Sequence, residues 1–197
     1  MKTVEEIHQY WHTPSDGKNR PEDYLHGVQK SQLILRAINE LKLTDPMIIE
    51  LGCNVGRNLN ALHNWNYTNL RGIELNPAAV ELCHKHFPYL KGGITLGALE
   101  GVLPTLKKGS FDVVFTMAVL EHVHPDSCEL VFDQMTRITK GCIITIEDEQ
   151  LVTWRHFPRK YDEIFQSRGM RQIKEQSCDT VPGLGARFVL RVFKKGR

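Results

Sequence analysis

No run in this sequence approaches the ~20 apolar residues that a helix needs to cross a bilayer. The opening stretch, Met1 to His12, carries Glu5, Glu6, His8 and His12 where a secretory signal would carry an apolar segment. Cysteine is sparse and unpatterned. Cys53, Cys83, Cys128, Cys142 and Cys178 are odd in number, widely spaced and include no Cys-x-x-Cys pair. That argues against a disulfide framework or a zinc cluster and for reduced thiols. An excess of one charge is missing as well. Lys and Arg total 25 against 23 Asp and Glu, a formal +2, so there is no strong nucleic-acid signal. The basic end, Lys194-Lys195-Gly196-Arg197, is short and reads as a solvated tail. Repeats and low-complexity segments are absent. What is left is a cytoplasmic chain with no membrane partner. Its oligomeric state stays open.

With 197 residues and 41% hydrophobic content the chain suits one domain with a sizeable core. Residues 1–45 read as a helical cover: a short helix over Val4 to Trp11, a polar loop, then a helix from about Pro21 to Leu43, stopped by Thr44-Asp45-Pro46. From residue 46 to 197, short β-branched runs alternate with helical spacing, which predicts a mostly parallel sheet flanked by helices. Strands are expected at 47–51, 70–74, 93–96, 111–116 and 142–146. Helices are expected near 57–63, 77–86, 99–106, 127–138 and 159–167. Two late strands, 170–175 and 187–193, have no crossover helix between them and must be antiparallel if they pair. The fold class is α/β, a doubly wound, mostly parallel seven-stranded sheet with an antiparallel C-terminal hairpin.

The chemistry concentrates in Met47-Ile48-Ile49-Glu50-Leu51-Gly52-Cys53-Asn54-Val55-Gly56-Arg57-Asn58-Leu59. An apolar strand runs directly into Gly-x-Asn-x-Gly and then a helix. Gly52 permits a tight turn and close approach of a ligand. Asn54 enters the left-handed region at little cost. Gly56 lets the helix start close to the strand end. Glu74 closes the second strand 22 residues after Gly52, where an acid can accept bonds from both hydroxyls of a ribose.

These segments, together with Phe111-Asp112-Val113-Val114-Phe115 followed by Val119-Leu120-Glu121-His122-Val123, resemble class I S-adenosylmethionine-dependent methyltransferases over residues 45 to 150. The resemblance implies a Rossmann-like sheet, S-adenosyl-L-methionine as cofactor and a set of contacts. Glu50 and the Gly52, Asn54, Gly56 turn would hold the methionine end, and Glu74 the ribose, with Leu75 beside the adenine. Leu99 and Glu100 would lie at the adenine edge. Thr116 and Met117 would pass under the sulfonium, with Val119 nearby. Many members carry Gly-Asp after the third strand; here Ala98 follows Gly97, and Glu100 stands close by.

The acceptor is less legible. His122 after the fourth strand and His156 after the fifth are the candidate catalytic bases, since an imidazole titrates near neutrality. His12 and His26 are weaker candidates, and His63, His84 and His86 read as solvated. Trp154, Arg155, Arg159 and Tyr161 form a basic, aromatic run that should overhang the site, and Tyr24 belongs to the N-terminal cover. Arginine forks onto carboxylate or phosphate, so a small polar or anionic acceptor methylated on oxygen is expected. Phosphonate O-methyltransferases are similar in having such an N-terminal cover.

The nicotinamide fingerprint Gly-x-Gly-x-x-Gly is broken by Asn54 and Arg57. Thr116-Met117-Ala118-Val119 is not the Asn-Pro-Pro-Tyr-type run of base methylation. Glu147-Asp148-Glu149 is an acidic cluster, but adjacent acids on a strand point alternately, so no metal is expected. An N-methyltransferase, or a cofactor-binding subunit of a macromolecule-modifying complex, is the remaining alternative.

Overall fold

Seven strands, β1 (Ile48–Leu51), β2 (Leu70–Glu74), β3 (Ile94–Leu96), β4 (Phe111–Met117), β5 (Thr139–Asp148), β6 (Met170–Ser177) and β7 (Phe188–Lys195), form one sheet in the order β3-β2-β1-β4-β5-β7-β6. The computed structural model describes residues 2–14 and 17–196. Met1, the Ser15-Asp16 pair of the expected loop and Arg197 of the expected basic end lie outside the described residues. β1 to β5 pair in parallel; β7 is antiparallel to both β5 and β6. The expected late hairpin is thus present, with β7 inserted beside β5.

The winding reverses between β1 and β4, each of which runs outward from there toward its own half of the sheet. Leu51 lies in register with Ile73 on one side and Thr116 on the other. The carboxyl ends of β1, β2 and β4 therefore finish at one level, which is where an open α/β sheet forms its crevice. All four β1 residues are buried, as a central strand covered on both faces requires. One face packs against α2 (Val28–Glu40) and α3 (Arg57–His63). The other packs against α6 (Pro125–Ile138) and α7 (Tyr161–Gln166), whose Phe132, Tyr161 and Phe165 are fully buried.

Helix ends follow their capping chemistry. α1 (Val4–His12) begins at Thr3, whose hydroxyl accepts from the Glu6 amide while the Glu6 carboxylate accepts from the Thr3 amide. In α4 (Pro77–His86), Asn76 caps the amides of Ala78 and Ala79 and proline occupies the first helical position.

Three expectations are corrected. The helix drawn from Pro21 to Leu43 is broken: Pro21–Tyr24 is a single 3-10 turn, Gly27 sits at φ +100°, and α2 starts only at Val28. Lys194 and Lys195 are the end of β7, not a solvated tail, and the Lys195 ammonium donates to the carbonyls of Thr136 and Thr139. β5 is twice the expected length: the antiparallel β7 pairs with it as far as Asp148, and at its other end Thr139 pairs with Phe111 of β4. Among the described residues no helix is long and apolar enough to cross a membrane.

Candidate active site

The bend after β1 is built from left-handed backbone. Gly52, Asn54 and Gly56 take φ of 69°, 47° and 75°. The amides of Gly52 and Cys53 both donate to the Ile73 carbonyl, at 2.8 and 3.0 Å, which ties the bend to β2. The Asn54 side chain accepts from the Val55 amide and so stabilises its own left-handed conformation. A Cβ on Gly52 would lie 2.5 Å from a Val119 methyl, and one on Gly56 would lie 2.6 Å from the Cys83 sulfur. Within the protein, the missing side chain at Gly52 thus admits the segment after β4, and that at Gly56 lets α3 begin against α4.

Two buried carboxylates face this bend. Glu50 accepts from the Asn58 amide nitrogen at 2.7 Å through Oε1, while Oε2 has no partner. Burial pushes its carboxyl up to about 8, against the pull of Asn58 and Arg57. A cation beside Oε2 would favour the ionised form. Below pH 8 the empty site must first give up a proton, so affinity for a ligand with an ammonium there should climb between about pH 6 and 8 and then level. The profile should flatten in Glu50→Gln; calorimetric titrations across that range test both. Glu74 accepts from the Asn54 amide at 2.7 Å and from the Asn76 amide at 2.8 Å. Burial raises its carboxyl above the usual range, and those amides draw it back down. Both its oxygens therefore already hold backbone, and they retain further lone pairs for hydroxyl donors.

Bend and acids line a cavity of about 380 Å³, within the size range of small-ligand sites. Leu75, Leu99, Glu100, Met117 and Val119 line it as well. Glu100 pairs with His8 of α1 at 3.1 Å. Thr116 does not reach the cavity; it is fully buried in β4 beneath it. Gly56 is absent from the lining too, because it faces Cys83 and Leu90; the other expected cofactor contacts all line the cavity.

At the other end stand His122, His156, Arg155 and Tyr24. His122 Nδ1 lies 2.8 Å from the Arg155 carbonyl, and burial pushes its imidazole down to about 3, so it is neutral at any physiological pH. His156 packs edge-on to it, ring centres 4.5 Å apart, and is also lowered by burial and by Arg155. The Arg155 guanidinium lies over Tyr10 at 4.8 Å, Trp11 at 5.5 Å and Trp154 at 5.8 Å. It has no carboxylate partner among the described residues. Tyr24 donates to Asn19, which donates to Tyr10, forming a polar thread through this aromatic roof.

Two expected acceptor contacts are elsewhere. The Arg159 guanidinium is consumed by the carbonyls of Leu120, Phe157 and Val123, where it pins the segment after β4 to the loop after β5. Tyr161 is fully buried against Phe132. Trp154 touches the roof from outside: it packs edge-on to Tyr10 and is 44% exposed. Of the weaker histidines, His26 offers only its carbonyl, to Arg57, and neither it nor His12 lines the cavity.

Trp11 and Asn19 line the cavity with Tyr24 as part of the expected N-terminal cover, whereas Lys30, Glu121 and Phe188, together with Arg57 and Asn58, were not anticipated. The last two directly follow Gly56 at the start of α3, a position from which side chains must face the strand end. The others come from distant segments, and no local pattern marks them. Lys30, half-buried and lowered by that burial and by Arg57, is a second cation without a carboxylate partner among the described residues.

Residues 49–142 match the family described as a methyltransferase domain. No curated protein sequence matches the chain. Among solved structures, the chain is similar to magnesium protoporphyrin IX methyltransferase from Synechocystis PCC 6803 with bound SAM. Identity is 12%, the TM-score 0.72, and 100% of this chain and 98% of that one are covered. It is similar to the 1,6-didemethyltoxoflavin-N1-methyltransferase of Burkholderia thailandensis, at 13% identity and TM-score 0.69, covering 98% and 87%. A chain in the complex of the Haloferax volcanii Trm112 methyltransferase activator with a methyltransferase also matches, at 13% identity and TM-score 0.72, covering 99% and 98%.

Proposed function

We propose that this chain is a class I S-adenosylmethionine-dependent methyltransferase, a reading that the methyltransferase-domain match over residues 49–142 supports, and that it methylates a small acidic acceptor on oxygen. The observation that carries the reading is Arg155: its guanidinium lines the cavity beside His122 and His156 and has no carboxylate partner among the described residues, whereas Glu50 and Glu74 face the bend after β1.

The cofactor fits the acidic end on chemical grounds. Glu50 Oε2 is a buried acceptor without a donor, suited to an ammonium. Glu74 offers further lone pairs to a diol, and Leu75 and Leu99 offer apolar surface to a flat base. Bound there, S-adenosylmethionine supplies a methyl group made electrophilic by a positive sulfur. The protein's own contribution is alignment and the exclusion of water. Trp11 and Tyr24 roof the cavity with Tyr10 packed behind Trp11, and Arg155 would fork onto a carboxylate, phosphate or phosphonate. An acceptor that arrives as an anion needs no base. His122 and His156, kept neutral by burial, would then orient it, and would take a proton only from an acceptor that brings one. Residues 1–45 act in this reading as a cover that must loosen to admit ligands. The five free cysteines, four of them buried, support a reducing, cytoplasmic setting.

The test is transfer of an isotopically labelled methyl from S-adenosylmethionine to panels of carboxylic, phosphoric and phosphonic acids, neutral alcohols and amines. Label is expected in acid esters. Label confined to amines would replace the reading with N-methylation. Turnover only after a protein partner is added would favour an activator-dependent enzyme; a structurally similar chain does occur in complex with an activator.

A further inference from the structure

We infer that Glu121, His122 and His156 form a three-ligand site for a divalent first-row transition metal in the wall of the cavity. One donor atom from each lies within 4.8 Å of the others. Glu121 Oε1 and His122 Nε2 stand 3.5 Å apart. Donors about 2.1 Å from a tetrahedral ion are separated by about 3.4 Å, so this pair is already at bite distance. His156, within 4.8 Å of both, has to close by at most about 1.4 Å (4.8 less 3.4), a side-chain adjustment for a residue on the loop after β5.

The outer contacts are those that metal-binding histidines use. A ligating imidazole normally donates its second ring N–H to a carbonyl or another acceptor. His122 Nδ1 faces the Arg155 carbonyl, which can only accept, so that nitrogen carries the proton and Nε2 presents its lone pair. His156 Nδ1 faces the Thr153 hydroxyl at 2.6 Å, which leaves its Nε2 for the ion. Glu121 Oε2 accepts the Asp148 amide, which orients the carboxylate with Oε1 toward His122. Two imidazoles and one carboxylate select zinc, cobalt, iron or manganese over magnesium and calcium, which prefer all-oxygen shells. Three protein ligands leave coordination positions open, and all three residues line the cavity.

Glu147, Asp148 and Glu149 are not ligands of this cluster. Those acids are engaged separately: Glu147 accepts the Val119 and Glu121 amides, Asp148 pairs with Arg187, and Glu149 pairs with Arg191. The Arg155 guanidinium nearby would repel a lone cation. An anion held between guanidinium and metal would relieve that repulsion, and this last consequence alone rests on the acidic-acceptor reading.

The experiment is a Co²⁺ titration of the untagged full chain after chelation and dialysis, followed by visible absorption and calorimetry and repeated with Zn²⁺ as competitor. We expect one Co²⁺ per chain at micromolar Kd, with ligand-field bands of a low-coordinate ion that Zn²⁺ abolishes. His156→Ala should weaken binding at least tenfold; its side chain is only half-buried, and a thermal melt verifies that the variant folds. Glu121→Gln should weaken it similarly. Absence of a stoichiometric site in the wild type, or unchanged affinity in folded His156→Ala, overturns the inference. Binding of S-adenosylhomocysteine and methylation of acids are read separately, so loss of the metal site leaves the proposed function standing, and the reverse.

Discussion

Glu74→Ala should weaken S-adenosylhomocysteine binding about a hundredfold, the largest effect expected of any single change at the acidic end. The carboxylate does two jobs. It accepts the Asn54 and Asn76 amides at 2.7 and 2.8 Å, which fixes both the bend after β1 and the start of α4. It also faces the cavity with lone pairs to spare. Hydrogen bonds to a charged group are worth about 1.5–3 kcal/mol each. Losing the ligand's bonds together with part of the preorganisation should cost about 3 kcal/mol, or about two powers of ten in Kd. Calorimetry on Glu74→Ala and Glu74→Gln measures it. The amide variant keeps an acceptor but no charge and should fall between. Near-wild-type affinity in a folded Glu74→Ala would mean the ligand does not lie along β2.

Arg155→Met should lower kcat/KM for the acidic acceptor by about thirty- to a hundredfold while leaving S-adenosylhomocysteine affinity within about twofold. The guanidinium is held over three aromatic faces and has no internal carboxylate partner among the described residues. Among the described residues no carboxylate competes for its forked donors, which line the cavity where a ligand would sit. A charge-assisted, two-pronged contact of this kind supplies about 2–3 kcal/mol. Methionine retains much of the stem's packing, so the loss isolates the charge. Arg155→Lys should recover only part, because an ammonium cannot fork. Equal loss for charged and neutral acceptors would assign Arg155 to holding the roof together.

What the sequence revealed and what it hid follow a physical division. β1, its bend and Glu74 are local: an apolar run, left-handed positions filled by glycine and asparagine, and an acid at the next strand end. The Gly52, Asn54 and Gly56 conformations were readable from residue type alone. The acceptor end is tertiary. Arg155 and Arg159 sit four residues apart in one basic run, yet one lines the cavity and the other spends its donors on three carbonyls. Periodicity did not separate them, because the loop after β5 is neither helix nor strand there. Tyr161 follows the same logic: it opens α7, whose buried face turns it into the core. Thr116 was displaced from the site by strand alternation: its neighbour Met117 reaches the cavity, and Thr116 faces inward. Lys30 was invisible because the helix assigned to it ran through Gly27, and only the break there sets where α2 starts.

The function proposed for this chain requires that the bend from Gly52 to Gly56, with Glu50 and Glu74, receive an adenosyl amino acid. Calorimetric titration of the full chain with S-adenosylhomocysteine at pH 7, in two buffers of different ionisation heat, addresses it most directly. One molecule should bind per chain at micromolar Kd, with proton release to the buffer as Glu50 ionises. A chain that melts cooperatively yet shows no saturable heat at high micromolar ligand would contradict it.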